Sequence, residues 1–394
     1  MTEASRPGPA APRLLKHLNE RAVLEAIRTG APISRAEISR RAGISKPTVS
    51  LALQTLLQAG LVRETANEPG RPSYGAVYFE PVPEAALVVG LDLGARFLRG
   101  AVCDLSGEIR ARQDVEIAGA DAEDTLEVTA ALHESLLTAA GLARELVDGV
   151  VVGVPGVVDA SGGGRLTLAT NVPGLEGRRF GAELHDRLGL PVALENDINL
   201  AAVGERWRGV ARGVDNFVFL SVGTGMGAGL VLGGELHRGR HGAAGEVDFA
   251  LAGLDENVDP SALELSALAE RRARDHRETV LTPPYEARAV FDSARGGDAL
   301  GRAVVDEVAR RIALNITPIA AVADVELVVL GGGIGANGDL LLGPVRHRLA
   351  EWLPFPPEVE ISTVGEAAVL TGALAVGLRS ALDNVVSNTR PHEW

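Results

Sequence analysis

The chain has 394 residues, 46% of them hydrophobic, with 47 glycines and a formal net charge of −14; that is enough apolar material for two or three packed α/β domains and excludes a disordered protein. A single cysteine, Cys103, excludes an internal disulfide and any multi-cysteine zinc site, and 4% aromatic content speaks against an RNA surface of stacked rings. With no signal peptide and no apolar run long enough to cross a bilayer, a cytoplasmic protein without membrane contact is expected. The charge is uneven: residues 1–80 carry eleven Lys and Arg against seven Glu and no Asp, a surplus of +4 that leaves −18 on the remainder. A basic head on an acidic body suits a protein in which only the head meets phosphate.

Residues 1–12, with Pro7, Pro9 and Pro12, read as a disordered arm. Leu14, Leu15, Leu18, Val23, Leu24 and Ile27 then mark one or two helical turns before Thr29-Gly30. Ser34 followed by Glu37 is a capping box. After the turn Ala42-Gly43-Ile44, Ser45 caps a second helix, Pro47 is tolerated in its first turn, and Val49, Leu53, Leu56 and Leu57 give it an apolar face. This is a helix-turn-helix, whose second helix enters a DNA major groove. Ser45, Lys46, Thr48 and Ser50, with Gln54, are its outward polar residues. The segment 64–72, with Asn67, Pro69 and Gly70, lies between two extended runs and makes a hairpin wing whose Arg71 is placed for a minor groove. The plain alternative is a helical protein-interaction domain with Lys46 and Arg71 as solvated charges; the order of cap, turn, second cap and wing favours DNA.

Pro81-Val82-Pro83 reads as a linker. A strand run ending at Asp92-Leu93-Gly94, a second from Phe97 to Cys103, a turn at 105–108, a third strand, a helix near 122–141 and a buried strand at 149–154 follow. Strand, glycine turn (Gly223-Thr224-Gly225) and strand recur from residue 216 onward, which suggests two similar α/β lobes facing a cleft, where small ligands bind. The glycine turn at 223–229 and the run Leu330-Gly331-Gly332-Gly333 can cradle an anion or simply reverse the chain, and neither is a dinucleotide fingerprint. Glu195-Asn196-Asp197-Ile198-Asn199 follows a short apolar run, so a carboxylate and amides lie at a strand end. That equipment binds sugar hydroxyls, and Asp197 there can accept a hydroxyl proton; an Asx cap on a helix starting near Leu200 explains the same residues. His241-Gly242-Ala243-Ala244-Gly245-Glu246 and Thr170-Asn171-Val172-Pro173-Gly174 are further polar loops. Cys103 reads as a small buried hydrophobe, and His17, His185, His237 and His347 as surface or satisfied histidines without metal partners.

With these motifs in this order, the sequence resembles the ROK family (repressor, open reading frame, kinase) from about Leu14 to Leu382, and its winged head resembles the repressor branch. The resemblance implies an α/β chain with an N-terminal winged helix-turn-helix and a two-lobed actin-like ATPase fold, a duplicated ribonuclease H-like unit. It also implies a sugar in the cleft, contacted by Asn171, Asn196, Asp197, Glu246 and Glu264, with Asp197 as catalytic base only if the protein is a kinase. Three departures matter. Phe249 stands where the family has His, with Asp248 for the preceding Gly; Asp255, Asn257 and Ala262 replace the cysteines of the family's zinc loop; and Ala95-Arg96 replace the Gly-Thr that kinases use for phosphate.

The expected product is therefore a sugar-responsive transcriptional regulator, a repressor, binding a double-stranded operator as a homodimer or homotetramer. No cofactor, zinc included, and no enzymatic activity are expected. The alternatives are an ATP-dependent sugar kinase carrying a winged-helix head, and a regulator that answers to a non-sugar or to no ligand. Domain boundaries fall at 1–12 (arm), 13–80 (head), 84–205 (first lobe), 206–383 (second lobe with the C-terminal helix) and 384–394 (tail).

Overall fold

The computed structural model describes residues 10–65, 77–117, 122–159, 163–169, 172, 174–251, 257–276 and 278–387. Arg71, Asn171 and Asp255 lie outside them. The head begins with α1 (Ala10–Gly30), one helix of 21 residues where an arm to residue 12 and one or two turns were expected. Ala10 and Ala11 are strong helix formers, and Pro12 sits in the first turn, where its missing N–H has no helical partner to lose. β1 (Ile33–Ser34) leads into α2 (Arg35–Ala42), and Ser34 Oγ accepts from Glu37 N at 3.3 Å. The reciprocal half of the capping box is not formed: the Glu37 carboxylate accepts instead from Arg40 and from Arg41 Nε (3.0 Å). Gly43 closes the helix at φ 65°, a left-handed conformation that costs glycine no Cβ clash. In α3 (Lys46–Gln58), Ser45 Oγ accepts from Thr48 N at 3.4 Å. β2 (Val62–Thr65) and β3 (Tyr78–Pro81) form the wing, and β1 joins them in the order β1-β3-β2.

The expected linker is instead part of the fold. Pro81 pairs with Val62 inside the wing sheet, Val82 N donates to Leu61 O, and a short 3-10 turn, Pro83–Ala85, runs straight into the body.

The body has two sheets of five strands with one topology. In the first, β4 (Leu87–Leu93), β5 (Phe97–Asp104) and β6 (Ile109–Glu116) form an antiparallel meander, and α4 (Ala122–Ala140) crosses to β7 (Gly149–Val154). A side hairpin, β8 (Val157–Asp159) with β9 (Arg165–Thr167), and α5 (Phe180–Leu188) precede β10 (Val192–Asn196) and α6 (Asp197–Arg208). β7 lies parallel to both β4 and β10, giving the order β10-β7-β4-β5-β6.

The second sheet repeats it. β11 (Phe217–Val222), β12 (Met226–Leu232) and β13 (Glu235–Leu236) form the meander, and α7 (Ala262–Ala273), α8 (Ala287–Arg295) and α9 (Ala299–Ala323) cross to β14 (Leu327–Gly331). α10 (Gly332–Gly335) and α11 (Gly338–Trp352) cross to β15 (Glu358–Ile361), for the order β13-β12-β11-β14-β15. This is the duplicated two-lobed fold expected from the sequence. Parallel strands buried on both faces read as the unbroken Val and Leu runs seen at 150–152 and 327–330.

The last helix, α12 (Ala368–Ser387), corrects the expected boundaries. It was assigned to the second lobe, yet it packs on β4, β7 and β5 of the first. Glycine makes this possible, since a Cβ on Gly90 would lie 2.9 Å from Leu374 and one on Gly153 2.6 Å from Val369. α6, expected to close the first lobe, leans on the second sheet, where Gly229 would meet Ile198 O at 2.6 Å if it carried a Cβ. α6 and α12 cross at backbone contact: a Cβ on Gly204 would sit 2.2 Å from Ala368 O, and one on Gly372 1.8 Å from Leu200 O. The two helices thus form the spine between the lobes.

α12 is long and apolar enough to cross a membrane, contrary to the expectation that no such run exists. Its apolar side chains have another use: Leu370, Leu374, Leu378, Ala381 and Leu382 join one continuous core with Val23, Leu24, Ile27, Ile38, Val49 and Leu53 of the head and Val88, Ala101 and Cys103 of the first sheet.

Candidate functional site

Asp92 near the end of β4, Val154 at the end of β7 and Asn196 at the end of β10 bring three strand ends to one edge, where ligands of open α/β sheets bind. Asn196 is the N-cap of α6, which begins at Asp197, three residues earlier than expected. Its Oδ1 accepts from Ile198 N and Asn199 N, both at 2.9 Å, and its Nδ2 donates to Gly156 O at 2.8 Å. Every polar atom of that side chain is thereby engaged in the fold. The capping bonds are formed, and they fix the strand end that carries Asp197 while one Nδ2–H stays available to a ligand.

Asp197, partly reached by solvent, faces Asp92 of its own lobe and Glu246 of the other. Desolvation first, then repulsion from Asp92 and Glu246, push its carboxyl up to about 7, against a 2.9 Å hydrogen bond from Ile198 N that favours the charged form. Asp92, 5% exposed, is raised to about 6 by burial despite Arg99 Nη1 at 3.4 Å. Glu246, half-buried ahead of the 3-10 turn Val247–Phe249, is raised by burial and by Asp248, and Asp248 by burial and Asp259. A carboxylate poised near neutrality can accept a hydroxyl hydrogen bond or the proton itself.

Glu264 lies in the first turn of α7, whose Ala262 N donates to Gly223 O. The start of that helix therefore lies beside the glycine turn. Phe249 is 64% exposed next to Glu246.

One ion pair leaves no mark in the sequence. Glu195, buried, accepts from Asn199 Nδ2 (2.9 Å) and Asn196 N (3.0 Å), and its other oxygen takes Arg238 Nε at 2.6 Å. Arg238 follows β13 in the second lobe, so this ion pair bridges the cleft beside Asp197. Its partners are 43 residues apart, and no local spacing signals it.

Both glycine turns border a separate cavity of about 400 Å³ in the second lobe, lined by Gly223, Thr224, Phe291, Gly333 and Asn337 among others. Arg295 on its wall is held by Asp339 (Nε 2.7 Å) and Asn337 (2.8 Å). The residues at the family's zinc positions do not fit the metal. Ala262 offers no donor atom, and Cys103 lies buried in β5 of the other lobe with its thiol pushed up to about 12 by desolvation. Arg96 extends into solvent and pairs with Glu116 at 3.0 Å.

On the head, Lys46 is exposed at the start of α3 and makes no ion pair among the described residues. The hydroxyls are committed: Ser45 to Thr48, and Ser50 Oγ to Lys46 O at 2.9 Å. Where head meets body, the Trp207 ring near the end of α6 lies under two guanidinium groups, Arg208 at 4.2 Å and Arg28 of α1 at 5.8 Å. Arg208 donates to Gly107 O.

Comparison with known proteins gives the same division. The ROK family model matches residues 88–380 and a MarR family model residues 17–71. A xylose repressor of Caldicellulosiruptor bescii is 25% identical over 94% of this chain and 97% of its own length. A ROK family transcriptional regulator, described as a homologue of the E. coli MLC protein, superposes with a TM-score of 0.78 at 23% identity, over 96% of this chain and 99% of its own. A ROK family glucokinase from Streptomyces griseus, solved with glucose and AMPPNP, gives a TM-score of 0.63 at 26% identity, over 74% and 99%. With the family model covering the whole two-lobed body, and a MarR-type winged helix ahead of it, the chain belongs to the ROK family.

Proposed function

We propose that the chain is a DNA-binding transcriptional repressor of carbohydrate metabolism, cytoplasmic, whose effector is a sugar or sugar derivative in the interlobe cleft. The observation that carries this reading is the single core shared by the winged head, the first sheet and α12. A head on a flexible tether would not feel the cleft; this one stands on the spine that the cleft bends. Sugar hydroxyls bond Asp197 and Glu246, with Asn171 and Glu264 completing the set and Asn196 fixing Asp197 in place. Closing the lobes tilts α6, whose far end carries Trp207 against Arg28 of the head. A difference of about 1–3 kcal/mol between open and closed forms changes operator affinity roughly 5- to 150-fold.

One recognition helix covers only a few base pairs, so the protein acts as a homodimer or homotetramer on paired half-sites. No zinc or other cofactor takes part. DNA is held through Lys46 and the first turns of α3, with Arg71 of the wing in the minor groove.

The test is a gel shift on the chain's own upstream region. Lys46→Ala is expected to weaken binding on the order of tenfold and to flatten its salt dependence, with D-xylose and D-glucose as the first effectors tried by calorimetry. Unchanged binding in both Lys46→Ala and Arg71→Ala sinks the head assignment. Replacing Trp207 by Ala is expected to leave sugar affinity intact while reducing the effect of sugar on DNA binding to less than about threefold; an undiminished response removes α6 from the coupling route. Arg96 and Phe249 argue against the kinase alternative, and sugar-dependent ADP release that Asp197→Asn abolishes would put it in place of the repressor.

A further inference from the structure

The recognition helix shows solvent a stripe whose middle is apolar. Pro47, Leu51, Gln54 and Gln58 fall at i, i+4, i+7 and i+11 of α3, are all exposed, and lie opposite the buried Val49, Ala52, Leu53 and Leu56. Leu51 is 68% exposed. The hydroxyls around it are already bonded within the helix, Ser50 Oγ to Lys46 O and Thr55 Oγ1 to Leu51 O. Two groups at mid-helix are therefore left for a partner: the isobutyl group of Leu51 and the amide of Gln54. Leu51, mostly exposed, is outside the buried core of the head. Lys46, exposed at the start of the same helix, supplies the charge that brings phosphate close.

In a major groove an apolar side chain distinguishes one group, the C5-methyl of thymine, and a glutamine amide matches the N6 and N7 edge of adenine. Three residues of helix rise about 4.5 Å, against about 3.4 Å between base pairs, so residues 51 and 54 reach neighbouring pairs. We infer that Leu51 packs on a thymine methyl and Gln54 bonds an adenine in the adjacent pair, so that the centre of each half-site is read as A·T. This rests on the DNA-binding reading of the head.

The full-length protein is used to select a binding duplex from a random library, and each thymine of that duplex is then replaced singly by uracil, which removes the methyl and keeps the pairing. Wild type is expected to lose about fourfold in affinity at one thymine per half-site, the equivalent of one buried methyl group. Leu51→Ala is expected to bind the thymine and uracil duplexes equally, with an unchanged melting temperature. Replacing adenines singly by 7-deazaadenine is expected to weaken wild type at the neighbouring pair and to leave Gln54→Ala unaffected. Lys46→Ala, acting through phosphate, is expected to weaken every duplex alike. Indifference of wild type to uracil at all positions, or a uracil effect that persists in Leu51→Ala, overturns the inference. Selection of no duplex at all overturns the DNA-binding reading itself.

Discussion

Asp197→Asn is expected to make the sugar-free protein more stable than wild type above pH 7 and to remove its response to sugar. In the unfolded chain the carboxyl titrates near 3.8, and in the cleft near 7. A raised pKa means that the folded state binds the extra proton between those values. Its stabilising contribution is complete below pH 4 and is lost as pH rises through 7. The interval corresponds to on the order of 4 kcal/mol at full strength, reduced to about 3 kcal/mol by the water that reaches the group from the cleft. Asparagine has the shape of the protonated acid and never ionises. The difference in unfolding free energy between variant and wild type, followed by denaturant titration, should thus be small at pH 4 and approach about 3 kcal/mol by pH 8. Asp92, raised to about 6, tilts the stability of both proteins in the same direction and so drops out of the difference. A difference that stays flat across this window would show that Asp197 is not desolvated. Calorimetry on the same variant should show sugar binding lost, because the amide cannot supply both acceptor oxygens.

Gly372→Ala is the second large effect expected. The new methyl group would lie 1.8 Å from Leu200 O and 2.6 Å from its carbonyl carbon, and both are backbone atoms that no rotamer change can move aside. α6 cannot retreat, because Gly229 already abuts Ile198 O on its opposite side. Separating the helices is expected to cost about 3 kcal/mol, seen as a lower denaturant midpoint. Gly377→Ala on the same helix is the control: its methyl would meet the Val88 side chain at 3.1 Å, a contact that relaxes for about 1 kcal/mol or less. Equal midpoints for the two variants would mean that the spine is not closely packed.

Much of this was readable from the sequence because it is local. Ser34 and Ser45 cap where their spacing placed them, Gly43 takes the left-handed turn, and the strand ends at Asp92, Val154 and Asn196 fall where apolar runs stop. The errors have a common physical origin in long-range contacts. Nothing near Ala368 tells whether an apolar helix will cover the first sheet or the second; that is decided by Gly90 and Gly153, more than 200 residues earlier. Pro81-Val82-Pro83 has linker composition, yet Pro81 tolerates the wing strand and Val82 N finds Leu61 O. Asn196 carried two readings, sugar ligand and helix cap; its Oδ1 makes the capping bonds and its Nδ2 holds Gly156 O. The Arg238–Glu195 bridge had no signature because charge pairs across a cleft keep no fixed spacing in the chain.

Because α12 shares a core with the winged head, the head and residues 368–387 mature as one unit. A ribosome has to finish residues 368–387 before the apolar contact between the head and this helix can form, so a truncated message would yield a head lacking that cover. Anyone transplanting this head onto another sensor would need to carry that helix along with it, or redesign the exposed underside as a polar one.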